Sequence, residues 1–215
     1  MVTIHLGPKW FFGIDASLEA FASLIAFCVT LTSYRIWKIT KEKKYMHFTT
    51  SFLLLTLSFL TRAITDSLLE EIFVKIPAEY TGKVFFIGYV AHILLALIAY
   101  VTLFSVTHKI ENKKVLTLIY LILIPSLLLS GSYFLSFYGL SAIFLSFITI
   151  AYYQNYKKVC KSSACLVFIA FTLLAFAQVF FLAEVMYKPM YVIAHITQAI
   201  GYVVLLVALI KTIFK

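Results

Sequence analysis

Seven stretches of this chain are apolar over lengths suited to crossing a bilayer, which limits its fold more than any other feature. They run at about 16–37, 46–69, 84–107, 115–130, 133–156, 164–184 and 189–211. A hydrocarbon core roughly 30 Å thick takes about 20 apolar helical residues to cross. Joined into one helix, the fourth and fifth stretches would be roughly 60 Å long at 1.5 Å per residue. Ser130-Gly131-Ser132 is therefore read as the turn that splits them. The fourth is the shortest and carries Pro125. The expected fold class is all-α: a polytopic membrane protein of seven transmembrane helices, a single membrane domain in the cell membrane. Composition agrees, with 63% hydrophobic residues, 13% charged and a mean hydropathy of +1.00. An ordinary soluble domain is roughly 45–50% apolar and about 25% charged.

Charge sets the direction. Lys and Arg outnumber Asp and Glu by 18 to 9, a balance that in a soluble chain would suggest nucleic acid as a partner. Here the cations sit in short loops between apolar stretches, so they are read as topology signals, with no nucleic-acid partner. One set of ends and loops carries thirteen of them: Arg35, Lys38, Lys41, Lys43, Lys44, Lys109, Lys113, Lys114, Lys157, Lys158, Lys161, Lys211 and Lys215. Only Glu42 and Glu111 oppose them. The other set holds Lys9, Lys75, Lys83 and Lys188 among seven acids: Asp15, Glu19, Asp66, Glu70, Glu71, Glu79 and Glu184. Basic loops stay on the cytoplasmic side, so the C-terminus is expected in the cytoplasm and the N-terminus outside. The first stretch, preceded by acids and trailed by bases, reads as a span rather than a cleaved signal. Cys28, Cys160 and Cys165 show no CxxC spacing and are read as free thiols.

The chain also resembles itself. Thr30–Leu57 aligns without gaps to Thr149–Phe176, each running from the end of one span through a basic loop into the next. Tyr89, His92 and Tyr100 of the third span parallel Tyr191, His195 and Tyr202 of the seventh. These matches predict a 3+1+3 parallel internal repeat, with repeat 1 at about 16–107, a linker helix at about 115–130 and repeat 2 at about 133–211.

Polar residues inside a span are costly and mark possible sites. Arg62 is the one basic residue well inside a predicted span, and Asp66 follows it at i,i+4 on the same face. His92, Gln178 and His195 lie at similar depth, and Tyr191, His195, Gln198 and Tyr202 recur on one face of the seventh helix. Arg62, Asp66, His92, Gln178, His195 and Gln198 therefore make the expected ligand site. It is a polar pocket in the outer half, with Arg62 meeting an anionic group.

The two histidines open an alternative. Opposed across a repeat axis, His92 and His195 could hold a b-type haem as an electron carrier. A divalent metal would need further ligands from Asp66, Glu184 or His5. No phosphate-binding Gly-rich loop, HExxH or GxSxG is present. Lys211 lies at the end of the seventh span, too far along for a retinal Schiff base. The histidines and acids fall short of the zinc set of alkaline-ceramidase-like hydrolases. The chain is expected to be non-enzymatic.

The run SYRIWKITKEKKYMHFTTSFLLLTLSF resembles small archaeal seven-transmembrane proteins of unknown function. It is also similar to the seven-helix sensor regions that precede histidine kinases. That resemblance covers the first two spans and implies a sensor or accessory subunit. With no output domain expected after Lys215, the role would call for a separate partner protein. The 3+1+3 layout also resembles SWEET-type sugar transporters, though their Pro-Gln signature is missing, and implies small-solute transport as a further alternative.

Overall fold

The computed structural model describes residues 8–11, 13–69, 78–110 and 112–213. His5, Glu70, Glu71, Lys75, Glu111 and Lys215 lie outside the described residues. A short 3-10 turn, Lys9–Phe11, precedes seven helices. These are α1 (Ile14–Thr40), α2 (Lys43–Leu69), α3 (Ala78–Thr107), α4 (Lys113–Leu128), α5 (Tyr133–Val159), α6 (Ser162–Ala183) and α7 (Met190–Ile213). Among the described residues there is no strand. Each predicted stretch is one of these helices, and Ser130-Gly131-Ser132 does separate α4 from α5.

Six helices, all but α4, are long and apolar enough to cross a membrane. The protein is a multi-pass, all-α membrane bundle. With 16 residues, α4 is only about 24 Å long at 1.5 Å per residue. Chain direction nonetheless makes it a return crossing. α3 and α5 run side by side in the same direction, with Tyr89 against Phe134, His92 against Phe137 and Phe104 against Phe144. α4 carries the chain back between them, antiparallel to α3. The Thr102 and Tyr120 hydroxyls meet at 3.4 Å, and Leu94 and Leu127 line one narrow cavity. It packs loosely, leaving Leu118, Leu121 and Ile122 exposed.

The other six helices close a ring in the order α1, α2, α3, α5, α6, α7 and back to α1. Its two seams, α3 with α5 and α7 with α1, are both parallel pairs. In the second, Tyr191 meets Asp15 and His195 meets Glu19. The two basic loops also end their helices alike. α1 stops at Thr40 and α5 at Val159; the next residues, Lys41 and Cys160, take left-handed conformations with φ of 57° and 51°. Their N–H groups donate to Trp37 O (2.7 Å) and Tyr156 O (2.8 Å). A non-glycine residue in that region is uncommon, and Lys109, after α3, takes the same conformation with φ of 54°.

Polarity is inverted relative to a soluble protein. Leu24, Ile64, Leu121, Phe176 and Ile200 face outward, while Asp15, Glu19, Arg62, Asp66 and His195 are buried. Lipid tails are as apolar as leucine, so such helices associate through close packing and interhelical hydrogen bonds. The half toward the basic loops is packed with Val29, Phe52, Leu103, Leu145, Phe171 and Leu205. Its hydroxyls fold back onto their own helices: Thr30 donates to Ala26 O and Ser51 to His47 O. The ionisable interior belongs to the opposite half, which the charge pattern assigns to the outer leaflet.

Candidate functional site

Two one-turn pairs of charged residues build the centre of that outer half. Asp15 and Glu19 lie on the buried face of α1, with Arg62 and Asp66 on that of α2. Spacing of four residues puts each pair on one helix face. Arg62 Nε lies 3.5 Å from Glu19 Oε1 and 3.5 Å from Asp66 Oδ2. Those distances allow ion pairing, but neither contact has the alignment of a hydrogen bond. The guanidinium's well-directed bonds go to the second half of the chain instead. Nη1 donates to Tyr138 Oη (3.2 Å) and Nη2 to Tyr191 Oη (3.3 Å). The rings of Tyr89 and Phe181 flank its central carbon, each centroid 5.9 Å away.

The tyrosines extend the network. Tyr89 donates to Asp66 Oδ1 at 2.5 Å, and Tyr191 donates to Asp15 Oδ2 at 3.1 Å. Asp15 Oδ1 also accepts from the N–H groups of Gly13 and Ala16, which fixes the start of α1. His195 Nδ1 stands 3.5 Å from Glu19 Oε1, so α7 reaches the same carboxylate as α2. One guanidinium thus ties together α1, α2, α5 and α7. Removing one partner from a buried ionic cluster strands the others, at a cost of about 3–5 kcal/mol.

The six expected site residues divide. Arg62, Asp66 and His195 meet around Glu19. Gln198 stands beside Glu19 without reaching hydrogen-bond geometry. Gln178 is buried on α6, its Oε1 lacking a partner among the described residues. His92 joins a separate contact, in which its Nδ1 meets Ser58 Oγ at 2.8 Å. Sequence spacing accounts for the separation of the histidines. The tyrosine pairs 89/191 and 100/202 are 102 residues apart, whereas histidines 92 and 195 are 103 apart. One residue of slip turns a helical position by about 100°, so the imidazoles are not equivalent.

The residues do not fit a haem between those histidines. The His92 ring packs against Phe59 and Phe137, and that of His195 against Phe11, Phe181 and Tyr191. Neither lines any of the four main cavities. Among the described residues no three His, Cys, Asp or Glu side chains are grouped to hold a metal ion. Ser58 and His92 form a serine–histidine pair, but the His92 Nε2 has no partner to orient it and no main cavity reaches it.

Besides Asp15, which joins the cluster through Tyr191, four further contributors stand outside the six expected residues. Glu19 counts by sequence among the acids of the outer ends and loops, whereas it is 1% exposed at the centre of the cluster. Its i,i+4 spacing from Asp15 was the available signal. Glu184 counts in the same set of acids, and it lines a small cavity beside Arg62. Tyr89 stood out only in the repeat match with Tyr191, and Tyr138 carried no signal among 14 tyrosines.

Comparison with protein-family models, with curated proteins and with solved structures finds no match to this chain. Nothing in those comparisons ties its first two spans to a sensor family, and the identity that is shown is that of an all-α, seven-helix, multi-pass membrane protein.

Proposed function

We propose that the chain is a non-enzymatic membrane protein that binds a small amphiphilic ligand or lipid in its outer half, serving a separate partner as sensor or accessory subunit. The observation that carries this reading is a pair of cavities sharing one wall. The smaller, of about 20 Å³, lies over Arg62 and is closed by Tyr138, Phe181, Glu184 and Tyr191. The larger, of about 270 Å³, runs between α3 and α5 along Phe85, Phe86, Val90 and Ile93. Tyr89 and Phe134 belong to both. A polar recess beside an apolar slot is the shape that takes a head group and its tail. Binding sites commonly combine a mostly apolar lining with a few convergent polar groups.

Two further features support the 3+1+3 repeat, which we propose as the plan of the bundle: the parallel seams and the matched ends of α1 and α5. Transport draws no comparable support, because the inner half is filled with apolar side chains. Native mass spectrometry of protein purified in mild detergent tests the binding reading. An amphiphile retained by the wild type should be lost from Tyr89→Ala. Retention unchanged in the variant, or no retained species in either, would remove its basis.

A further inference from the structure

The binding reading leaves open which head group the small cavity takes, and charge decides between the classes. Arg62 is the one cation in the cluster, and Glu19 and Asp66 already flank it at 3.5 Å. An incoming anion would meet a guanidinium whose charge is matched and whose Nη atoms are bonded to Tyr138 and Tyr191. Asp15 adds a third carboxyl group behind Tyr191.

Glu184 supplies a fourth, independent of that cluster. It caps α6 through its backbone N–H, lines the cavity and is 8% exposed, yet its carboxyl group makes no hydrogen bond or ion pair among the described residues. Arg62 and Lys188 act on it from beyond ion-pair distance. Five of the remaining lining residues are aromatic, Tyr89, Phe134, Tyr138, Phe181 and Tyr191, beside the aliphatic Leu135 and Val185. Tyr138 and Phe181 stack at 4.6 Å, and Tyr89 meets Phe134 edge-on at 5.1 Å. Aromatic faces attract cations and not anions, most strongly where water is excluded. A volume of about 20 Å³ accommodates one water-sized group, since a water needs roughly 10–15 Å³ by this measure. A primary ammonium is of that size and a trimethylammonium is not.

Resting on the binding reading, we infer that the ligand is a primary alkylamine, its ammonium held between Glu184 and the ring of aromatic side chains and its chain lying in the α3–α5 cavity. No bond is made or broken; the site holds the protonated amine.

Titration calorimetry of the intact protein in detergent, corrected with matched micelle blanks, tests this with hexylamine, hexanol, hexanoate and hexyltrimethylammonium. Hexylamine should bind tightest. Its affinity should drop about tenfold or more in Glu184→Gln, as for loss of a buried charge pair, while hexanol is unaffected. Preference for hexanoate, or hexanol equal to hexylamine, overturns the cationic head and leaves the pocket standing. Hexyltrimethylammonium equal to hexylamine overturns the size argument. Hexylamine binding unchanged in Glu184→Gln overturns the assignment of that carboxylate. If none of the four binds, the pocket itself is overturned. The four-ligand ranking in the wild type remains decisive should the variant fail to fold.

Discussion

On the proposed 3+1+3 plan, the two halves of the bundle divide the chemistry between them. In the register that aligns Thr30 with Thr149, Asp15 falls on Phe134, Glu19 on Tyr138, Arg62 on Phe181 and Asp66 on Val185. All four counterparts line the small cavity over Arg62. Where the first half carries charge, the second carries rings or an aliphatic side chain, and of the charged set only Arg62 reaches the recess. Two full copies of the charged set would put two guanidinium and six carboxyl groups around one axis. In a membrane interior, each charge left unpaired is expensive. One copy of the charges against one copy of the aromatics gives a cluster that can be nearly satisfied and a wall that can bind.

The sharpest way to break this comparison is to remove its single cation. Arg62→Ala should destabilise the bundle by about 3–5 kcal/mol, because Glu19 and Asp66 lose their counter-charge in a buried site. Phe181→Leu, at the aligned position, removes bulk and no charge and should cost less than half as much. Reversible unfolding in mixed micelles measures both. Equal losses would mean that the halves do not divide their roles as described.

Close packing within each half offers a second, smaller contrast. A Cβ on Gly88 would collide with the Thr65 side chain, which is β-branched and stiff. Gly88→Ala should therefore cost roughly 1–3 kcal/mol, as overpacking does, with part recovered in Thr65→Ala. A Cβ on Gly201 would come 3.0 Å from Leu174 Cδ2, the end of a side chain that can turn away. Gly201→Ala should be the milder change. The reverse order in a thermal melt would show the α6–α7 contact to be the tighter one.

Smaller still is the loss of a hydroxyl. Tyr191→Phe breaks contacts to both Arg62 and Asp15, Tyr138→Phe only one to Arg62. Interhelical hydrogen bonds in membranes are worth about 0.6 kcal/mol on average and up to about 1.7. Tyr191→Phe should lie toward the upper end and Tyr138→Phe toward the lower. The least effect is expected in colour. Protein from haem-supplied cells should show no Soret band, with or without His92→Ala or His195→Ala. A band lost in both variants would replace the amine site with a haem.

Much of the fold was legible in the residues because the solvent is so demanding. Arg62 and Asp66 stood out because charge within a span needs a partner, and i,i+4 spacing supplied one. The site was less legible. Glu19 read as an outer acid because its depth depends on where α1 begins, and in the first turn Asp15 accepts from the N–H groups of Gly13 and Ala16. His92 and His195 looked paired, but a single residue of slip between α3 and α7 sent them to different partners.

By itself the sequence determined that the chain forms apolar helices of membrane length, because a bilayer core admits few other solutions for such a backbone. It also determined which ends carry the positive charge. Only the tertiary structure decided which side chains meet Arg62. Tyr138 and Tyr191 lie 76 and 129 residues from it in the chain. Their arrival depends on the rotation of α5 and α7 about their own axes, and those rotations follow from the packing of every neighbouring helix rather than from any local pattern.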